Sequence, residues 1–134
     1  MRSMSFRGAV AAVGVVVIAL TGCSGTKLPK GVPFEVRGTP VASTSVDIAH
    51  NVFDPAIIQI PSGSTVTWVN HDDVPHTVKL LDQTGKLLQL PSHSVSSELF
   101  GLPTTVYYLC SIHPFMHGKV IVENRAGFGG SGSA

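Results

Sequence analysis

Between Val46 and Asn124 the chain runs through one short β signal after another, with no sustained helical periodicity, and this restricts what the segment can fold into. Ile57-Ile58-Gln59-Ile60 leads into the turn Pro61-Ser62-Gly63-Ser64. Thr65-Val66-Thr67-Trp68-Val69 follows, alternating β-branched and aromatic residues. Thr77–Leu81 and Lys86–Leu90 flank Asp82-Gln83-Thr84-Gly85, a hairpin turn by composition. Ser92–Leu99, Thr104–Cys110 and Lys119–Val122 complete the set. Short strands with regular turns predict an all-β fold, a small Greek-key β-sandwich or barrel of about seven to eight strands. A core of this size is marginal by itself, so a ligand bound only by the folded state would add stability.

The ends of the chain read differently. Arg2 and Arg7 precede an apolar and small-residue run, Gly8–Leu20, of 13 positions. That is too short to span a bilayer as a helix and suits the apolar region of a secretory signal. The run closes in Leu20-Thr21-Gly22-Cys23, which resembles the lipobox of bacterial lipoproteins. The resemblance implies cleavage after residue 22, lipidation of Cys23 and firm attachment to the outer face of a bacterial cell membrane, because several acyl chains hold where one binds reversibly. Residues 1–22 are thus expected to be a signal peptide, 23–45 a lipidated Cys with a Gly/Pro/Ser/Thr-rich flexible tether, 46–124 the folded domain, and 125–134 a disordered tail. Without Arg2 and Arg7, seven of the nine Lys/Arg remain against eight Asp/Glu, a net charge of −1. No basic patch for nucleic acid is present.

Of the two cysteines, Cys23 is claimed by the lipobox, which leaves Cys110 without a disulfide partner. A lone thiol outside the cytoplasm is open to oxidation unless something occupies it. Cys110, His113 and Met116 follow at spacings of three, between two expected strands, and Pro114 disfavours a helix there. A loop that curls around one ion would bring a thiolate, an imidazole and a thioether together. With a further imidazole this is a soft donor set suited to copper, whereas magnesium or calcium would require oxygen ligands. His76, at the start of the Thr77–Leu81 strand, is the choice for the remaining donor.

The stretch from Asp47 to Val122 resembles the cupredoxins of the plastocyanin/amicyanin family, and is most similar to the amicyanins in Cys110–Val122 with its His-Pro-Phe-Met core. The resemblance includes Trp68-Val69-Asn70 and Pro75-His76-Thr77-Val78. It implies one type 1 copper ion, with His76, Cys110 and His113 in a trigonal plane and Met116 as a weak axial ligand. Asn70 and Thr77 are then expected to support the site, and Pro114 and Phe115 to form an apolar docking surface around the edge of His113. Two positions depart from the family. Thr77 stands where Asn is common, so its amide could still reach the sulfur while the inter-loop contact of an Asn side chain is lost or altered. Val106 and Tyr108 stand where aromatics are usual, with Tyr107 out of phase on the opposite face.

The expected function is electron transfer, copper cycling between Cu(II) and Cu(I), with no substrate and no enzymatic step. Expected partners are redox proteins and, through Cys23, a membrane; the expected state is a monomer. A copper storage or delivery protein of the same fold is the alternative, but such a protein needs a more open Met- or His-rich site, and two of the three Met residues, Met1 and Met4, lie in the signal. His50, His71 and His93 read as surface or turn residues. His117, beside Met116, is left with two readings: a titrating neighbour of the copper, or a ligand in place of Met116.

Overall fold

The structure, a computed structural model, describes residues 27–126. Among the described residues there is no helix, and ten strands run in order: β1 (Val41–Ala42), β2 (Ser45–Ala49), β3 (Val52–Asp54), β4 (Ile57–Pro61), β5 (Ser64–Asn70), β6 (His76–Leu80), β7 (Leu87–Leu90), β8 (Val95–Phe100), β9 (Thr104–Leu109) and β10 (His117–Glu123). They form a six-stranded sheet, β1-β4-β10-β9-β6-β7, and a four-stranded sheet, β3-β2-β5-β8. β4 is parallel to β1 and β10, and β2 is parallel to β5; the other pairs are antiparallel. The seven expected strands are β4 to β10, with ends displaced by one to three residues. The first three are additional, since segments of two to five residues carry too little periodicity to stand out.

Alternation on the strands builds the core. Val46 and Ile48 of β2, Val66 and Trp68 of β5, Val106 and Tyr108 of β9, and Val120 and Val122 of β10 all meet in one buried cluster. Tyr108 lies at its centre, edge-on to Trp68 (centroids 5.4 Å apart) and Phe53 (4.9 Å). Its cross-strand partner is Gly118, and a Cβ there would sit 2.1 Å from Tyr108 Cζ. Only glycine fits that position.

The six-stranded sheet is also covered on its other face. Val106, Tyr107 and Tyr108 are buried in succession, as are Ile57 and Ile58, which means both faces of β9 and β4 are packed. The cover comes from residues that composition assigns to the tether. Val32 and Val36 are buried against Ile57 and Tyr107, and Leu28 and Phe34 pack onto the same cluster. Lys119 Nζ donates to the Val36 carbonyl oxygen (3.3 Å). The packed region therefore begins well before Val46: every second residue of Val32-Pro33-Phe34-Glu35-Val36 turns inward, a strand-like spacing that the flanking Gly and Pro obscure.

The register of these strands brings the start of β6, the end of β9 and the start of β10 to one end of the sandwich, with Leu109 opposite both Lys79 and His117. Gly118→Ala is expected to lose about 1–3 kcal/mol of stability, the usual cost of forcing volume into a packed core, as measured by urea denaturation of wild type and variant.

Candidate metal centre

His76 begins β6, Cys110 follows β9, and the chain returns through His113 and Met116 into β10. Three donor atoms converge there. His113 Nδ1 lies 3.1 Å from His76 Nδ1, and Cys110 Sγ lies 3.7 Å from His113 Nδ1 and 3.9 Å from His76 Nδ1. The point equidistant from the corners of such a triangle is about 2.1 Å from each, the length of a metal–nitrogen bond and close to that of a metal–thiolate bond. No other group of three His, Cys, Asp or Glu side chains with this convergence occurs among the described residues. The residues therefore fit a single soft metal ion.

The loop that carries two of these donors is shut by its own backbone. The Cys110 amide donates to the Met116 carbonyl oxygen (3.1 Å), and the Met116 amide to that of His113 (2.9 Å). Met116 is buried in the same core cluster as Cys110, so its thioether sits on the inner side of the loop. The sulfur is fully buried, which pushes its thiol upward in pKa. Donation from the Thr77 amide (3.4 Å), with the His76 ring and the backbone of His113 and Ile112 beside the sulfur, outweighs burial and brings it from 9.0 down to about 6. Thr77 also joins the two segments: its Oγ1 accepts from the Ser111 amide (2.8 Å) and bonds the Ser111 hydroxyl (2.8 Å). The inter-loop contact of the missing Asn is thus altered, and a hydroxyl supplies it.

His76 is oriented from behind. Its Nε2 donates to Asp72 Oδ2 (2.8 Å), which fixes the proton on that nitrogen and turns the Nδ1 lone pair toward the cluster. The same carboxylate accepts from the amides of His50 (2.7 Å) and Asn51 (3.0 Å). Those two residues have φ of 54° and 59° and connect β2 to β3 as a two-residue hairpin turn. Donation from the Asn51 amide is the largest influence on Asp72; with the His76 ring and the His50 amide it overcomes burial and lowers the carboxyl from 3.8 to about 2. Asn70, itself buried, donates through Nδ2 to the carbonyls of Val74 (2.9 Å), Leu90 (3.1 Å) and Pro91 (3.0 Å). It accepts from the Asp72 amide (3.0 Å), so the loop leading to His76 is held at both ends.

The structure brings together His76, Cys110, His113 and Met116, with Thr77 against the sulfur and Asn70 one layer further out. Pro114 is exposed and Phe115 is 68% exposed, its ring 5.9 Å from that of His113. His50, His71 and His93 are exposed, as expected. His117 is not among the converging groups: it stacks flat on Phe34 (3.8 Å, 2°), on the outer face of the sheet, so it does not take the place of Met116. Cys23 and the segments 1–22 and 127–134 lie outside the described residues. Asp72 and Ser111 are the contributors that the sequence reasoning misses. An acid four residues before a ligand His is a usable signal for the first; the Ser111–Thr77 pair has none.

The model of copper-binding proteins of the plastocyanin/azurin family matches residues 40–123. The chain is 35% identical over 130 residues to amicyanin-alpha of Methylorubrum extorquens, covering 92% of this chain and 100% of that protein. It is 30% identical over 124 residues to amicyanin of Paracoccus denitrificans, covering 87% and 95%. Among solved structures, a reduced amicyanin variant superposes with a TM-score of 0.55 at 33% identity, covering 59% of this chain and 80% of that one. A purple cupredoxin from Nitrosopumilus maritimus superposes at 0.52 with 28% identity, covering 60% and 100%.

Asp72→Asn keeps the side-chain volume but removes the charge that holds the His76 Nε2 proton. Copper affinity is expected to fall about 10–100-fold, the usual cost of losing such a partner, in a competition titration against a chelator of known affinity.

Proposed function

The chain belongs to the plastocyanin/azurin family of copper-binding proteins, and we propose that it is a single-copper electron carrier on the outer face of a bacterial membrane. The observation that carries this reading is the triangle of His76 Nδ1, Cys110 Sγ and His113 Nδ1, with sides of 3.1, 3.7 and 3.9 Å. In this reading those three groups would hold the copper, and Met116 would supply a weaker fourth donor. Bound copper supplies a one-electron couple, Cu(II)/Cu(I). The protein's own contribution is to keep the donors still. The Thr77 amide and the shut loop hold Cys110, Asp72 holds His76, and burial of Cys110 and Met116 keeps water away, so little has to move when the charge changes.

His113 is the half-buried donor and serves as the electron port. Around it Ile112, Pro114 and Phe115 are exposed, an apolar rim on which a redox protein partner can seat. The carrier makes and breaks no substrate bond and works as a monomer. Cleavage after residue 22 and lipidation of Cys23 place it outside the cytoplasm, with a packed domain that starts near Leu28 rather than at Val46, and a short tail after Asn124. Storage or delivery would call for donors displayed to solvent, whereas Cys110 and Met116 are buried.

Titrating the purified metal-free protein with Cu(II) is expected to produce an intense visible band saturating at one ion per chain and absent from Cys110→Ser. A colourless complex would overturn the reading in favour of copper handling. Met116→Leu is expected to keep the band and raise the reduction potential in voltammetry, because the thioether stabilises the oxidised cation more than the reduced one.

A further inference from the structure

The packed part of the chain includes Leu28, five positions after Cys23, and this bears on how the domain meets a membrane. Val32, Phe34 and Val36 turn onto the outer face of the six-stranded sheet, with Leu28 packed beside them. Phe34 stacks on His117, the residue that follows Met116. The segment is thus a strap laid along the fold, next to the end of the sandwich that carries the donor cluster. Leu28, the first packed residue, follows Cys23 by five Cα–Cα steps, with four residues between them. Five steps span at most about 17 Å. A free tether of residues 23–45 would instead have a root-mean-square span of about 26 Å and a full extension of about 80 Å.

Charge on the strap fits the same picture. Lys27 and Lys30 are exposed, one on each side of Leu28, and neither has a carboxylate partner among the described residues. Arg37, further along, is neutralised by Glu35 at 2.8 Å. Two exposed ammonium groups beside the first packed residue are placed to meet anionic headgroups.

We propose that the strap Leu28–Val36 docks the domain by its covered flank against the anionic headgroups of the membrane that holds Cys23. The proposal rests on lipidation of Cys23. Its consequence is that the donor cluster is carried at a fixed, small height above the bilayer instead of sweeping through the space a long tether would allow.

The test uses the full mature protein, copper-loaded, in supported bilayers of phosphatidylcholine with or without phosphatidylglycerol, with neutron reflectometry as the readout. Expected is one compact protein layer separated from the headgroups by no more than about 17 Å, the longest span of the five steps from Cys23 to Leu28. Val32→Asp, which places a charge under the strap, is expected to move the layer outward and broaden it, with the visible band reporting that the domain stays folded. Lys27→Glu with Lys30→Glu leaves the packed face untouched and is expected to abolish the difference between bilayers with and without phosphatidylglycerol. A wild-type layer that is broad and centred beyond about 25 Å, the span of a free tether, would overturn the proposal while leaving the anchor intact. So would a charge-reversed variant that keeps the lipid dependence. Mass spectrometry of the same preparation separates the premise: an unmodified Cys23 removes the anchor, and the proposal with it.

Discussion

The donor cluster depends on an aromatic ring filling the place where a side chain is missing. Tyr108 occupies the centre of the core over Gly118, with Trp68 and Phe53 edge-on around it. This contact ties β9 to β10 in one register, because a slip by one residue would set the ring against Lys119 or His117 and turn both strands inside out. With Tyr108 opposite Gly118, Leu109 must lie opposite His117, and the next step brings the Cys110 amide to the Met116 carbonyl. Loop closure is therefore a consequence of strand register. The same ring has no hydrogen-bond partner for its hydroxyl among the described residues, and burial pushes its ionisation well above the usual range, so it stays neutral beside the cluster.

A second set of contacts prepares the histidine side. Asp72 gathers two amides from a tight hairpin and the far nitrogen of His76, three donors on one carboxylate. The hairpin belongs to the four-stranded sheet and His76 to the six-stranded one, so the carboxylate fastens the two layers together at the end where the donors meet. His76, Cys110 and Met116 are thus held by contacts that need no metal. That preorganisation is what a one-electron centre requires, since any rearrangement on changing charge would slow the transfer.

Local pattern explains why so much was legible in the chain itself. Strands β4 to β10 alternate over four to seven residues between turn residues, and the Cys110-His113-Met116 spacing sits within one loop. What escaped depends on tertiary context. β3 has three residues and no period of its own; it exists because Phe53 fills a gap beside Tyr108. Val32, Phe34 and Val36 look like linker because Gly and Pro surround them, and only the exposed outer face of β9 makes them core. Ser111 and Thr77 are separated by 34 positions, so no pattern in the sequence joins their hydroxyls. His117 was ambiguous for a similar reason: its neighbour Met116 points inward, but the face it occupies is set by Phe34 from the far end of the chain.

The short loop also divides its labour by residue. Cys110 and Met116 face inward and are bound to each other through the backbone, while Ser111, Ile112, Pro114 and Phe115 face solvent. Its ends are clamped by strand register and by Thr77, neither of which involves the outward-facing apolar side chains. The outer surface of the loop can consequently drift in shape and polarity under selection for a new partner while the donors keep their places. If a partner seats on this rim as proposed, partner choice and redox chemistry share the same seven residues, yet they are free to evolve separately.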